Sequence, residues 1–101
     1  MSHKFFLVDL SYVRPLKEVD EHLDAHVQFL NDQYAQQHFI FSGPKEPREG
    51  GIILARMKNR EALDQVLSCD PFNKAGLARY SVTQFIPRMY ADTFKAVLED
   101  A

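Results

Sequence analysis

The sequence predicts an α+β domain of the ferredoxin-like kind, an antiparallel sheet with two helices on one face, and three observations predict it. Apolar residues come in short runs rich in Phe, Ile and Val, and in longer runs spaced by threes and fours, the signatures of strand and helix. These runs follow the order β-α-β-β-α-β, with a tail helix after the last strand. Breakers fall between them: Gly43-Pro44 and Gly50-Gly51 bracket a hairpin, and Pro15, Pro71 and Pro87 stand at element ends.

The first strand, Lys4 to about Leu10, is apolar at odd and even positions through Phe5-Phe6-Leu7-Val8, so both of its faces are expected to be buried. Pro15 suits a first helical turn, where its missing N–H costs little. From about Pro15 to about Gln37 the spacing predicts one amphipathic helix. Its Leu16, Val19, Leu23, Val27, Leu30 and Tyr34 form a single stripe facing a core. His26 lies roughly 65° from the centre of that stripe, a border position where packing holds a ring that still reaches a cavity.

His38 to Ser42 makes a short second strand that stops at Gly43-Pro44, and the polar segment Lys45 to Glu49 is expected to be mobile. The third strand, Ile52 to Met57, pairs with the second as a hairpin. Asn59 caps a second helix, Arg60 to about Leu67, which buries Ala62, Leu63, Val66 and Leu67. That helix ends near Asp70, because Pro71 disfavours helical geometry in the residue before it. After a loop from Asp70 to Gly76 the fourth strand runs from about Leu77 to Ile86. A tail helix, about Asp92 to Glu99, packs Phe94, Val97 and Leu98 on a neighbouring surface.

The 101 residues suit a single domain, 1–101, that buries a core without disulfides or a structural metal. A formal charge of -2 with scattered signs offers no electrostatic footprint for nucleic acid or an anionic membrane. An RNA-recognition domain shares the element order, but its third strand carries a basic aromatic signature, and Ile52 to Met57 has no aromatic residue. The lone Cys69 forms no internal disulfide and no apolar leader precedes the first strand, so a reducing cytoplasm is the expected setting. Two helices cover one side of the sheet only. The other side, apolar through the first strand and Ile52 to Leu54, is expected to pack against its counterpart in a homodimer, with a cavity between sheet and helix in each half.

Among the residues that can carry chemistry, His26 and Asp70 make the strongest pair. Laying the two helices antiparallel brings the Asp70 loop towards the first helix, and a carboxylate on one ring nitrogen fixes the tautomer and leaves the other nitrogen for proton transfer. On residue chemistry alone, Asp70 before Pro71 also reads as a helix-ending residue. His22 and His26 share a helix at a spacing that can ligate one ion, but no third ligand is evident and the zinc-protease Glu after the first His is missing, so no metal is expected. Cys69 beside Asp70 is disfavoured as a nucleophile, since an adjacent carboxylate opposes thiolate formation. Arg14 offers an anion-binding fork at a pocket mouth, as does Arg79, although each also reads as a solvated charge. Ser42 brings a hydroxyl and Gly43 permits close backbone approach.

The chain resembles the YciI-like family of small proteins, which have the dimeric α/β-barrel variant of the ferredoxin-like fold. The residues that carry the resemblance are His26-Val27-Gln28-Phe29-Leu30, Phe41-Ser42-Gly43-Pro44, Gly50-Gly51 with the apolar strand after it, and Asp70-Pro71-Phe72, spread over roughly residues 4 to 88. The resemblance implies an active site made of the helix His and the Asp of the Asp-Pro-Phe segment, here His26 and Asp70. It also implies a pocket lined by the Ser-Gly-Pro turn, Ser42 to Pro44. The chain departs from the pattern at His38, where Gly is frequent, and at Gln84, where many relatives carry an acid. A dehydrochlorinase-type activity on a chlorinated aromatic is one role known in the family.

The function expected from these residues is cofactor-free acid/base chemistry of isomerase, lyase or dehalogenation type on a hydrophobic or aromatic small molecule. His26 is the acid or base, Asp70 its orienting partner, and Ser42, Gly43 and Arg14 the substrate contacts. The alternative is a non-catalytic module of the same fold that binds a small metabolite, since the arrangement serves both uses.

Overall fold

The computed structural model describes residues 3–99. Strand β1 (Lys4–Tyr12) runs between β3 (Gly50–Met57) and β4 (Ala78–Phe85), and β2 (Phe39–Pro44) lies beside β3, giving an all-antiparallel sheet of order β2-β3-β1-β4. Helices α1 (Leu16–Glu21), α2 (Leu23–Ala35), α3 (Arg60–Leu67) and the short α4 (Pro71–Lys74) supply the connections, and α5 (Lys95–Glu99) ends the described chain. This is the ferredoxin-like arrangement predicted from the element order.

The pleat sends Phe6, Val8 and Leu10 of β1 to one face, where Ile53, Ala55 and Met57 of β3 join them. Val19, Phe29, Leu63, Leu67 and Phe72 close the core from the helical side. Phe6 is fully buried, and its truncation to Ala is expected to cost about 3–5 kcal/mol. Gly50 is required where β3 begins: a Cβ there would stand 1.8 Å from the Leu10 carbonyl oxygen. The hairpin of β2 and β3 forms as expected, with a register slip between Phe39 and Phe41. Helix α3 starts at its predicted cap, the Asn59 side chain accepting from the Ala62 N–H at 2.8 Å.

The first helix differs from its prediction in two ways. It breaks at His22, whose backbone leaves helical geometry (φ -112°, ψ 5°) and whose N–H turns to Val19 O at 3.0 Å. The His22 ring then takes up the Glu18 carbonyl through Nδ1 at 3.3 Å, a side chain replacing a lost backbone bond. The buried line is also rotated from the apolar stripe: Val19, His26, Phe29 and Gln33 are buried, whereas Leu16 and Val27 are exposed. The two lines lie roughly 80° apart round the helix. His26 therefore sits on the buried line, beside the apolar stripe as expected.

Both α2 and α4 end in the same hydrogen-bonded turn. His38 N–H bonds Gln33 O and Gln37 N–H bonds Tyr34 O after α2, while Leu77 N–H bonds Phe72 O and Gly76 N–H bonds Asn73 O after α4. The left-handed residue is Gly76 (φ 67°) in one and Gln37 (φ 64°) in the other.

Strand β1 is not buried on both faces within one chain. On the far side Phe5 is buried but Leu7 is 40% exposed, and Phe41 and Phe85 are also exposed, because among the described residues only the tail approaches that face. The tail begins as a 3-10 turn (Asp92–Phe94), and it sets Phe94 edge-on to Phe41 at 6.4 Å and receives a bond from Arg56 Nη1 at Val97 O. The Lys45–Glu49 segment, expected to be mobile, is tied down: Lys45 N–H bonds Gly50 O, Tyr12 N–H bonds Glu49 O, and the Lys45 ammonium meets Asp9 at 2.7 Å. Among the described residues no helix is long and apolar enough to cross a membrane.

Candidate active site

Asp70 begins a helix and does not merely end one. Its carboxylate Oδ1 accepts from the Phe72 N–H at 3.0 Å, capping α4, whose first position is Pro71. This turn carries Asp70 under α2, where Oδ1 also meets His26 Nδ1 at 2.7 Å. The second oxygen, Oδ2, accepts from the Tyr80 hydroxyl at 2.5 Å. Asp70 is completely buried, and these three donors satisfy it.

The partners lock one another. A carboxylate can only accept, so the His26 proton stands on Nδ1, and Nε2 is left with its lone pair in the neutral ring. Among the described residues Nε2 has no protein hydrogen-bond partner, and it is not among the atoms sealed from solvent. The ring is held flat by Phe72, stacked at 3.9 Å with an interplanar angle of 5°. Burial, then the neighbouring Asp70 carboxylate, pushes the Tyr80 phenol far above the usual tyrosine range. Tyr80 thus remains a donor at any physiological pH.

His26 and Phe72 form part of the wall of a cavity of about 250 Å³ between α2 and the sheet. Leu23, Val27 and Leu30, the apolar stripe of the helix, line it together with Leu10, Tyr12 and Ile52. The stripe faces a cavity instead of solid core. Ser42 and Gly43 line it as well; the Ser42 hydroxyl is bonded to Tyr34 Oη at 2.5 Å, and a Cβ at Gly43 would meet nothing within 4 Å. The space where a Gly43 side chain would stand is therefore open. Such a volume falls below the roughly 300–1,000 Å³ of drug-sized sites, so it suits a small molecule of about one ring.

Of the sequence candidates, His26, Asp70, Ser42 and Gly43 come together here. Arg14 does not: both arms of its guanidinium bond the Glu18 carboxylate, at 3.2 and 2.8 Å, on the exposed start of α1. One helical turn separates the two residues, and that local partner captures the fork. Arg79 is exposed on β4, and Cys69 is exposed at the end of α3. Among the described residues no three His, Cys, Asp or Glu side chains gather into a metal site.

Three site residues escaped the sequence reading. Tyr80 could have been found from the alternation of β4, which puts Ala78, Tyr80 and Val82 on one face and gives an inward phenol needing a partner. Tyr12 carries the same signal, since it continues the inward alternation of Phe6, Val8 and Leu10 on β1. Arg48 carries none, because its place depends on the path of the loop before β3.

A family model for the YCII-related domain matches residues 5–86. The chain belongs to the YCII-related family. Its fold is similar to that of 5-chloro-2-hydroxyhydroquinone dehydrochlorinase from Burkholderia phenoliruptrix, solved in complex with 2,5-dihydroxybenzoquinone, with a TM-score of 0.71 and 22% identity over 80% of this chain and 92% of that one. A conserved protein from Methanosarcina mazei gives 0.53 and 17% over 82% and 91%. SnoaB, a cofactor-independent oxygenase from Streptomyces nogalater, gives 0.53 and 13% over 91% and 99%. At these identities the likeness of the YCII-related chain to the three structures is one of fold. No protein of curated function matches the sequence.

Proposed function

We propose that this protein catalyses cofactor-free proton transfer on a small hydrophobic or aromatic molecule held in the cavity beneath α2. The observation that carries the reading is the buried Asp70 carboxylate bonded to His26 Nδ1 at the wall of a largely apolar space. His26 Nε2 removes a proton from the substrate or returns one, and Asp70 holds the ring and stabilises the imidazolium formed during transfer. The Phe72 N–H and the Tyr80 hydroxyl keep the carboxylate from turning, and Ser42 orients the substrate. Isomerisation, lyase chemistry and elimination of halide all fit this pair. The dehydrochlorinase named on a structure of similar fold supports testing chlorinated hydroquinones first.

The test is incubation in D2O with small chlorinated and hydroxylated aromatics and lactones, read by NMR. Deuterium uptake or halide release that falls at least about 100-fold in His26→Gln is the expected result. Turnover at an undiminished rate in that variant removes the proposal, and a ligand that saturates the cavity unchanged makes the protein a binding module.

The same reading includes a homodimer through the open sheet face, supported by the exposed Leu7, Phe41 and Phe85 on it. Sedimentation at micromolar concentration is expected to give twice the chain mass, and a single-chain mass removes the dimer.

A further inference from the structure

The proposed chemistry leaves one permanently charged lining residue, Arg48, unused. Among the described residues, the cavity wall has two ionisable side chains besides the Tyr12 phenol, His26 and Arg48, and no carboxylate. A wall that carries a cation and no anion attracts negative charge, and more strongly where apolar side chains exclude water.

Arg48 is placed for this task and does not dangle. Its guanidinium lies 6.0 Å from the Tyr12 ring centre, and one amino group, Nη2, bonds Asp20 Oδ1 at 2.6 Å. The backbone around it is fixed by the Glu49 N–H to Pro47 O and Tyr12 N–H to Glu49 O bonds. A guanidinium has five donors in a planar fork, and the contact to Asp20 uses one side of it. The pair is exposed, at 36% and 52%, and an exposed pair is held weakly because water competes for both partners. Asp20 therefore positions Arg48 without saturating it.

We infer that Arg48 is a specificity residue that anchors an ionised oxygen of the substrate, so that the cavity selects one-ring molecules bearing a carboxylate or phenolate over their neutral counterparts. The inference rests on the cavity being the substrate site, and it deepens that reading by giving the substrate a charge. An anion seated on Arg48 places its ring among Leu23, Val27 and Ile52 on a wall shared with His26. Charge at one end then fixes which ring position meets the base.

The experiment is a titration of the full chain with benzoate and with its neutral analogue benzamide, followed by the amide signals of Gly43 and Gly51. Benzoate is expected to bind roughly tenfold tighter than benzamide, and Arg48→Gln to erase that preference while benzamide binding stays unchanged. Asp20→Asn, which removes the competing carboxylate, is expected to strengthen benzoate binding about threefold. Equal binding of the two probes at the cavity, equal weakening of both in Arg48→Gln, or no response to either probe overturns the inference. A charge preference that depends on Arg48 in a protein whose turnover does not depend on His26 leaves the inference standing and removes the catalytic reading.

Discussion

Two pairs of opposite polarity sit beside the same cavity at opposite ends of the exposure scale. The side chains of His26 and Asp70 are 11% and 0% exposed, while those of Arg48 and Asp20 are 36% and 52% exposed. The difference lies in how many partners each carboxylate has and what water can replace. Asp70 accepts from an imidazole, a phenol and a backbone N–H, none of which solvent can substitute in place, so the geometry is rigid. Water competes for Asp20 and Arg48 at all times, so their contact can be exchanged for a ligand. One pair is shut away from water, and the other stands open to it.

The comparison breaks most visibly at Asp70. Asp70→Ala removes the cap of α4 and leaves Tyr80 and His26 unpartnered, and it is expected to cost about 3–5 kcal/mol of unfolding free energy in urea denaturation. Asp70→Asn keeps an acceptor for the Phe72 N–H and is expected to cost about 1–3 kcal/mol. The same oxygen still accepts from His26, so the imidazole 15N shifts should keep a single Nδ1–H tautomer in Asp70→Asn and lose it in Asp70→Ala. A loss below about 1 kcal/mol in Asp70→Ala means that the buried pair is no more structural than an exposed one.

Tyr80→Phe comes next, at about 1–2 kcal/mol, since it withdraws the donor from Asp70 Oδ2. It also sharpens the comparison through pH. The folded state holds the Tyr80 proton more tightly than the unfolded chain, whose tyrosines ionise near pH 10.0. In that window the unfolded state binds fewer protons, so stability conferred by Tyr80 is complete below pH 10 and declines as pH rises above it. Absorbance titration should show one of the four tyrosines failing to ionise until the protein unfolds, and Tyr80→Phe should remove that laggard. Ionisation of all four in a protein that remains folded contradicts the buried contact.

The exposed pairs should do least. Arg48→Gln and Arg14→Gln are each expected to leave the midpoint of urea denaturation essentially unchanged, because water replaces an exposed ion pair with little loss. Only the first should alter benzoate binding, because Arg14 is held at Glu18 away from the cavity. An equal effect of both on binding reduces the role of Arg48 to long-range charge.

Sequence and structure agree best where the signal is local. The span of α3, the Asn59 cap, the order of the strands and the pairing of β2 with β3 follow from periodicity, capping chemistry and turn residues that act over a few positions. The partnership of His26 with Asp70 was legible through resemblance to a family and only weakly from the residues themselves. The break at His22 left no Gly or Pro to announce it. The His22 ring takes up the Glu18 carbonyl that the break leaves free, and no turn residue marks the position in the sequence.

By itself the sequence determined which elements form, where they stop, and that one long face of the first helix is apolar. Tertiary structure decided what that face meets, which side of α2 enters the core, and that Tyr80 and Arg48 join the site while Arg14 does not. The reason is that hydrophobic periodicity records only that a face leaves water. Packed core and empty cavity are equally dry, and only the assembled sheet and helices decide between them.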